Sequence, residues 1–255
     1  MHLDALLITT SFAVGVLIGL TSMGGAALMT PFLILVVGVK PVLAVGTDLA
    51  YGAITKVFGA LLHWRQGTVD VRLAWRTAIG SVPGGLLGVY AVAQLHRMGI
   101  DADVYLRRAL GVVLVMVALV IVLRLLIGEK SMRREVEAAD TVRRWVPVWG
   151  AAVGFAVGFT SVGSGSLMAP MLMLAFPLMP VKAVGTDLFH AAVLISVAAA
   201  AHSSAGHVEW GLMPSLLLGS IPGVFLGSLL APHLPPRPLK FGLATVLFAT
   251  GLKLA

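Results

Sequence analysis

The chain contains one long segment twice. Residues 13–95 align with residues 152–234 without a gap when the sequence is shifted by 139 positions. Chance would mainly match apolar residues in a chain that is 58% hydrophobic, yet 17 of the identical pairs are glycine, proline or polar. Because the two copies should fold alike, we predict two homologous halves around one core. The matched pairs include Thr21/Thr160, Asp48/Asp187, His63/His202 and Pro83/Pro222.

Long uncharged stretches predict membrane spans. Only 11% of the residues are charged, about half the usual share in soluble proteins, and the mean hydropathy is +0.99. A spanning helix needs about 20 apolar residues, and apolar runs that are continuous rather than alternating exclude an outer-membrane barrel. We therefore predict an all-α polytopic membrane protein, and an internal repeat in such a chain is typical of secondary transporters. The uncharged stretches are 5–39, 145–181, 188–208 and 210–236.

The composition also limits the chemistry. The chain has no cysteine, which rules out disulfides, thiolate metal sites and thiol nucleophiles. It has no Walker loop and no paired Asp, Glu and His cluster, so neither a cofactor nor a metal is predicted. The net charge of +7 indicates membrane topology and attraction to anionic lipid rather than to nucleic acid. The expected partners are the lipid bilayer, a small anionic substrate, and a proton or another coupling ion.

Helix breakers divide each half into five apolar elements, of which the first two are short and interrupted by Thr, Ser and Gly. A charged stretch separates the halves and is the one clearly soluble part of the sequence. The predicted units are a first membrane repeat at 1–127, a cytoplasmic linker at 128–145 and a second membrane repeat at 146–255. The predicted elements are 5–20, 25–38, 42–63, 77–95 and 106–127, then 146–159, 165–178, 181–202, 212–231 and 238–254.

The positive charges favour inversion of the second half. If the two short elements form a hairpin that enters the membrane and returns, each half crosses an odd number of times and the copies are inverted. With the linker in the cytoplasm, 12 Lys and Arg residues then lie inside and 5 outside, whereas parallel halves give 10 and 7. The positive-inside rule favours the first split. The matched loops agree, because 63–76 contains three Arg and 202–215 contains none.

The two helix breaks are the first candidate site. A helix broken at membrane depth has free N–H groups and a positive dipole end, and such backbone must be buried in protein or line a cavity. Two breaks that meet between the halves would form a pocket of neutral donors for a small oxyanion. The alternative is that the small residues only allow close helix packing. The predicted substrate-binding residues are Thr21, Ser22, Gly24, Gly25, Thr160, Ser161, Gly163, Ser164 and Gly165, with Thr47 and Thr186.

Three charged residues are candidates for coupling. Asp48 and Asp187 each lie a few residues inside an apolar run, where an ionisable group is costly and is a functional candidate. Each could cap its helix, or carry a proton whose binding is linked to that of the anion. Lys56, which is matched by Ile195, could balance the anion, pair with an aspartate or extend towards the interface.

Four motifs follow one another in the first half, and the second half repeats the pattern through 158–227. They are Gly-x-Thr-Ser-x-Gly-Gly at 19–25 before Pro31, Pro-x-x-Ala-x-Gly-Thr-Asp at 41–48, His-x-x-x-Gly-x-Val at 63–69, and Gly-x-x-Pro-Gly-x-x-x-Gly at 80–88. This ordered set resembles the sulfite exporter TauE/SafE family. The resemblance implies a multi-pass inner-membrane transporter of small anions such as sulfite, sulfoacetate or thiosulfate.

Two functional hypotheses of different classes follow. The leading one is a secondary transporter, not an enzyme, that exports a small sulfur-containing anion. The rival is a membrane-embedded enzyme or accessory subunit without transport activity. Paired breaks in both halves favour transport, because an enzyme would more readily show a catalytic cluster in one half. The substrate, the direction, the coupling ion and the oligomeric state stay open.

The inverted arrangement can be tested by cysteine labelling, since the chain has no native cysteine. We expect a single cysteine placed within 63–76 to react with a membrane-impermeant thiol reagent from the cytoplasmic side. A cysteine placed within 202–215 should react from the opposite side. Labelling of both loops from the same side would contradict the inversion.

Overall fold

The computed structural model describes residues 2–21, 25–127, 139–168, 171–172, 176, 178–231, 233 and 236–255. All regular secondary structure in this part of the chain is helical, and six of the helices are long and apolar enough to cross a membrane. The predicted fold class, an all-α polytopic membrane protein, is therefore confirmed.

In the described part of the chain, nine α-helices correspond to nine of the ten predicted elements. Of the other predicted element, 165–178, residues 165–167 form turns, and several of its residues lie outside the described ones. A wider π-helical turn, Leu33–Val37, extends the second helix, and a 3-10 turn, Trp210–Leu212, precedes the eighth. In chain order the helices are α1 His2–Thr21, α2 Gly25–Phe32, α3 Pro41–Arg65, α4 Val71–Arg97, α5 Ala102–Ile127, α6 Ala139–Thr160, α7 Pro180–Ser204, α8 Met213–Leu230 and α9 Pro236–Leu254.

Helices α4 and α6 begin six and seven residues earlier than the apolar pattern predicts, the largest differences among the helix starts. Helix α4 begins at Val71 rather than near 77, because the Asp70 side chain accepts a hydrogen bond from the Leu73 backbone N–H at 3.0 Å and caps the helix. Helix α6 begins at Ala139, inside the predicted linker. Residues 128–138 of that linker lie outside the described residues.

The same sequence signals begin and end the matched helices α3 and α7. Each begins with a proline, Pro41 or Pro180, whose fixed φ suits the first helical position. Each is followed by a glycine with positive φ, 69° at Gly67 and 75° at Gly206. Such a glycine reverses the chain and lets a later N–H bond back to the last turn. The matched bonds are Thr68 N–H to His63 O, 3.1 Å, and His207 N–H to His202 O, 2.9 Å.

Glycines bring the backbones of helices from different halves into direct contact. A Cβ on Gly84 of α4 would lie 2.1 Å from the carbonyl oxygen of Ala151 in α6. A Cβ on Gly223 of α8 would lie 2.3 Å from the carbonyl oxygen of Phe12 in α1. Gly84 and Gly223 are matched by the repeat, and Phe12 and Ala151, which directly precede the aligned segments, are also 139 positions apart. The two contacts are therefore equivalent, with the roles of the halves exchanged. We call the α4–α6 and α1–α8 contacts the two glycine seams.

Helices α3 and α7 run antiparallel at the centre and hold each other's ends. The Thr47 hydroxyl, near the start of α3, accepts a hydrogen bond at 2.8 Å from the Glu209 N–H, beyond the end of α7. In return the Thr186 hydroxyl, near the start of α7, accepts one at 2.9 Å from the Asp70 N–H. A two-fold rotation relates these contacts. The inversion of the halves across the membrane stays a prediction, which the reciprocal contacts support.

The outer surface fits a bilayer. Helices α3 and α7 are the most buried of the spans, while large apolar side chains of the surrounding helices are exposed, as with Ile79 and Leu126. All five tryptophans of the chain are exposed, namely Trp64, Trp75, Trp145, Trp149 and Trp210. Four of them lie towards helix ends, where membrane proteins concentrate tryptophan at the lipid–water interface, and Trp149 lies in the middle of α6.

We expect substitution within a glycine seam to destabilise the protein. In Gly84→Ala the added methyl must displace the α6 backbone, and Gly223→Ala does the same to α1. Overpacking of this kind costs about 1–3 kcal/mol, so both variants should melt at lower temperature in detergent.

Gly242→Ala is the matched control, because Gly242 lies in helix α9 with no atom within 4 Å of its Cβ position. Alanine is the better helix former, so this variant should melt no earlier than the wild type. Equal melting temperatures for Gly84→Ala and Gly242→Ala would show that the seam is not tightly packed.

Candidate functional site

The second half has an irregular segment where a helix break was predicted. Helix α6 ends at Thr160, and residues 161–167 form bends and turns rather than a helix. Ser161 has φ of 63°, which is rare for a residue with a side chain, and Gly163 has φ of 127°. This conformation carries the hydroxyls of Ser161 and Ser164 away from α6 towards α3 of the first half.

Three oxygens from separate elements meet at Asp48. The Asp48 Oδ2 atom lies 2.7 Å from the Thr30 hydroxyl of α2 and 2.7 Å from the Ser161 hydroxyl of the break. The two hydroxyl oxygens lie 2.6 Å from each other. All three residues are buried, with Asp48 only 2% exposed. We call this group the oxygen triangle; it joins α2 and α3 of one half to the break of the other.

Lys56 lies two turns further along α3 and also contacts the break. Its Nζ donates a hydrogen bond to the Ser164 hydroxyl at 2.6 Å, and the residue is only 3% exposed. Its charge interacts with those of both Asp187 and Asp48. A charged amine at this depth is costly unless it is paired or serves a ligand.

A second polar contact joins α7 to α4. The His190 Nε2 atom lies 2.6 Å from the Ser81 hydroxyl, and both residues are fully buried. His190 also lies within electrostatic range of Lys56. The centre of the bundle thus holds one lysine, two aspartates and a histidine, on the two antiparallel helices α3 and α7.

Three buried polar atoms near this centre have no hydrogen-bond partner within the described part of the chain. They are Asp48 Oδ1, Tyr51 Oη and His190 Nδ1. Buried polar atoms are nearly always paired in native proteins, so each marks a place where water or a bound ligand would complete the bonding.

The structure brings some of the predicted site residues together and separates others. Ser161, Ser164, Asp48 and Lys56 form one group, and Gly165 is buried beside Ser164. Ser22 and Gly24 lie outside the described residues.

The remaining predicted residues make other contacts. The Thr21 and Thr160 hydroxyls bond back to their own helices, at Leu17 O and Ala156 O. Gly25 packs against Ile18, so that α2 folds back on α1. Thr47 and Thr186 bond to the loops after α7 and α3, as described above. The binding role of the whole set stays a prediction.

Thr30 and Ser81 are polar members of this centre that the sequence analysis missed. Thr30 is matched by Ala169, so a search for identical pairs passes over it. A hydroxyl next to Pro31 inside an uncharged run was the available signal. Ser81 is matched by Ser220, but both lie in a Gly-Ser-x-Pro-Gly stretch whose obvious role is helix packing.

A cavity of about 660 Å³ lies at the end of the molecule where α3 begins. Asp48 lies eight positions after Lys40, which is at the edge of the cavity, and this places it about 12 Å along the helix. Charged and polar side chains of both signs line the cavity beside apolar ones. They include Lys40, Asp101, Asp103 and His207. Among the described residues, no three His, Asp or Glu side chains cluster to hold a metal ion.

The helical bundle with six candidate spans and a charged centre between repeated halves belongs to the class of polytopic membrane transporters. The model of the sulfite exporter TauE/SafE family matches residues 7–254, and the chain belongs to this family. No solved structure matches it.

Bacterial relatives agree with this class. The chain is 43% identical over 243 residues to the probable membrane transporter protein YjnA of Bacillus subtilis, covering 94% of this chain and 95% of that protein. It is 27% identical over 237 residues to the probable membrane transporter protein YdhB of the same organism, covering 92% and 93%. A probable membrane transporter protein of Xylella fastidiosa is 28% identical over 239 residues, covering 92% and 88%.

We expect Gly163→Ala to impair transport more than its effect on folding explains. At φ of 127° a side chain strains the backbone, at a cost of about 1–3 kcal/mol. Relief of this strain would move Ser161 and Ser164 away from α3. The measurement is the transport rate per folded molecule in vesicles.

Gly67→Ala is a control for a side chain at positive φ, since Gly67 has φ of 69° in a loop and no atom within 4 Å of its Cβ position. It should lose some stability but keep its transport rate. If both variants lost transport equally, the conformation of the break would have no specific role in transport.

Proposed function

We propose that the chain is an inner-membrane secondary transporter that exports a small sulfur-containing anion of the sulfite or organosulfonate class. The observation that carries the proposal is the position of Lys56. Lys56 lies on α3, the central helix of the first half, and its ammonium group contacts a hydroxyl group at the break of the second half. The family name, which refers to sulfite export, supports the choice of substrate class.

The chemistry of the centre suits a small oxyanion. Lys56 can donate three hydrogen bonds, of which the Ser164 hydroxyl accepts one. The serine and threonine hydroxyls beside it can each donate or accept, so they can follow the oxygens of a sulfite or sulfonate group. Hydrogen bonds that involve a charged group contribute about 1.5–3 kcal/mol each. A single buried lysine would therefore account for a large part of the anion affinity.

The charges of the centre link anion binding to protons. If Lys56, Asp48 and Asp187 were all ionised, the group would carry a net charge of −1 and would repel an anion. Protonation of one aspartate brings the sum to zero, and binding of the anion then costs less. A proton held on one of the two acids would thus favour anion binding, and by reciprocal linkage the bound anion would help to retain the proton.

The membrane potential supplies the force for export. A monoanion leaving a cell that is negative inside gains roughly 2.3 kcal/mol per 100 mV. A proton carried in the same direction cancels this gain, because the net charge moved is then zero. The dependence of the rate on potential therefore distinguishes export of the anion alone from movement of anion and proton together.

The cavity at the start of α3 would form the outer vestibule of the pathway. With the predicted topology, the Lys40 end of the molecule faces away from the cytoplasm. Lys40 at the edge of the cavity supplies a positive charge for a passing anion, beside the negative charges of Asp101 and Asp103. The largely apolar stretch of α3 between this cavity and Asp48 would then be the outer barrier.

Transport into inside-out vesicles and into proteoliposomes tests the function. The panel is sulfite, thiosulfate, sulfoacetate, sulfate and chloride, each with and without a pH gradient and an imposed potential. We expect uptake of at least one sulfur anion above that of vesicles without the protein. Folded protein that moves no member of the panel would contradict the proposal.

Lys56→Met tests the role of the lysine. We expect the anion concentration for half-maximal transport to rise about ten- to a hundredfold, because one charge-assisted hydrogen bond is lost. Lys253→Met is the control, since Lys253 is exposed near the end of α9, and it should transport like the wild type. If correctly folded Lys56→Met had the wild-type concentration for half-maximal transport, the lysine would not be part of the anion site.

A further inference from the structure

We propose that Asp48, rather than its counterpart Asp187, holds the transported proton, as a neutral carboxylic acid within the oxygen triangle. The inference rests on the proposed function and identifies which of the two acids couples proton and anion. It goes beyond the repeat, which makes the two aspartates equivalent.

The number of hydrogens in the triangle carries the argument. Three oxygen pairs, Asp48 Oδ2 with Thr30, Asp48 Oδ2 with Ser161, and Thr30 with Ser161, lie 2.6–2.7 Å apart. Oxygens at that separation attract only with a hydrogen between them, and the two hydroxyls supply one hydrogen each. With an ionised Asp48, one of the three contacts would set lone pairs against each other. A proton on Oδ2 supplies the third hydrogen, and each oxygen then donates to the next around the triangle.

The rest of the carboxyl group is also better suited to the neutral form. Oδ1 has no hydrogen-bond donor within the described residues. An unpaired buried oxygen is far more costly on an ionised carboxylate than on the carbonyl of a neutral acid. Lys56, the charged group that acts on Asp48, donates its hydrogen bond to Ser164 rather than to the acid.

The elements packed around Asp48 bring few charges. Helix α2 and residues 161–168 have no ionisable side chain, and helix α8 has none either. On α1, Asp4 bonds to Ser215 away from the centre. On α5, Asp103 accepts the N–H of Val42 near the start of α3, and the arginines 107 and 108 are exposed. Beyond Lys56, the groups that remain are Tyr51 on α3, with His63 and Arg65 in the last turn of that helix, the exposed Tyr105 on α5, and Asp187, His190, His202 and Lys182 on α7.

The repeat cannot build the same triangle at Asp187. The residue that matches Ser161 is Ser22, which keeps the hydroxyl, but the residue that matches Thr30 is Ala169, which has none. The second half therefore lacks one of the three oxygens. Two of the three elements that meet at Asp48 belong to the first half and one to the second, so the proton would hold the halves together at this point.

Loss of the proton would loosen that contact. Ionisation leaves two hydrogens for three close oxygen pairs, and the Thr30 and Ser161 oxygens would then move apart. This separates α2 from the break that carries Ser164, the hydrogen-bond partner of Lys56. Proton release and a change in the anion site would thus be one event, which is the linkage that coupling requires.

Infrared difference spectroscopy, in which the spectrum of each variant is subtracted from that of the wild type, tests the location of the proton without a substrate. The wild-type protein in liposomes at neutral pH should show the carbonyl stretch of a protonated carboxylic acid. We expect the band to be absent in Asp48→Asn and present in Asp187→Asn, which is the matched control. A band that persists in Asp48→Asn would overturn the proposal.

Transport measured against pH tests the coupling with the same two variants. Asp48→Asn keeps a neutral side chain at every pH, so its rate should lose the pH dependence of the wild type, while Asp187→Asn keeps it. Wild-type pH dependence in Asp48→Asn would overturn the coupling role. If the wild type moves no anion of the panel, the proposed function fails, and the infrared result still decides which acid holds the proton.

Discussion

Direct backbone contact at the two glycine seams is the constraint on which the rest of the structure depends. At Gly84 and Gly223 a single added carbon would overlap a carbonyl oxygen of the neighbouring helix. Lipid chains are as apolar as the side chains of a neighbouring helix, so burial against that helix gives no hydrophobic gain. Close packing therefore holds such helices together. Since each seam joins helices from different halves, the seams fix the position of α3 and α7 between them. The charged centre can then be buried on two antiparallel helices with little contact to lipid.

The repeat made much of this fold predictable. The uncharged runs marked the helices, and the predicted starts of the central pair, 42 and 181, lie one residue after the observed starts at Pro41 and Pro180. The start of α4 was less predictable, because Asp70 caps a first turn that contains charged residues and so lacks the apolar pattern. Which helices pair across the halves could not be read from periodicity. The reason is that glycine spacing shows that a close contact exists but not which backbone fills it.

The centre was predictable only in part, because a search for identical pairs in the repeat passes over residues that differ between the halves. Asp48, Lys56, Ser161 and Ser164 were candidates because they are polar residues in apolar runs, and the structure places them in one group. Thr30 was missed because its counterpart is Ala169. Identical pairs identify what both halves need in order to fold. Two of the positions at which the halves differ, Lys56 with Ile195 and Thr30 with Ala169, lie where the two copies meet and make the centre asymmetric.

The two seams are alike in geometry but not in the order of synthesis. The α4 side of one seam precedes its α6 partner by roughly 70 residues, whereas α1 precedes α8 by roughly 200 residues. At about 5–20 residues per second of translation, α1 would wait roughly 10–40 s for its partner. Its glycine-rich face would meanwhile be open to lipid or to helices of other proteins. The first helix of the chain is thus the one most exposed to mispairing during insertion, although in the finished bundle it is as tightly held as its counterpart.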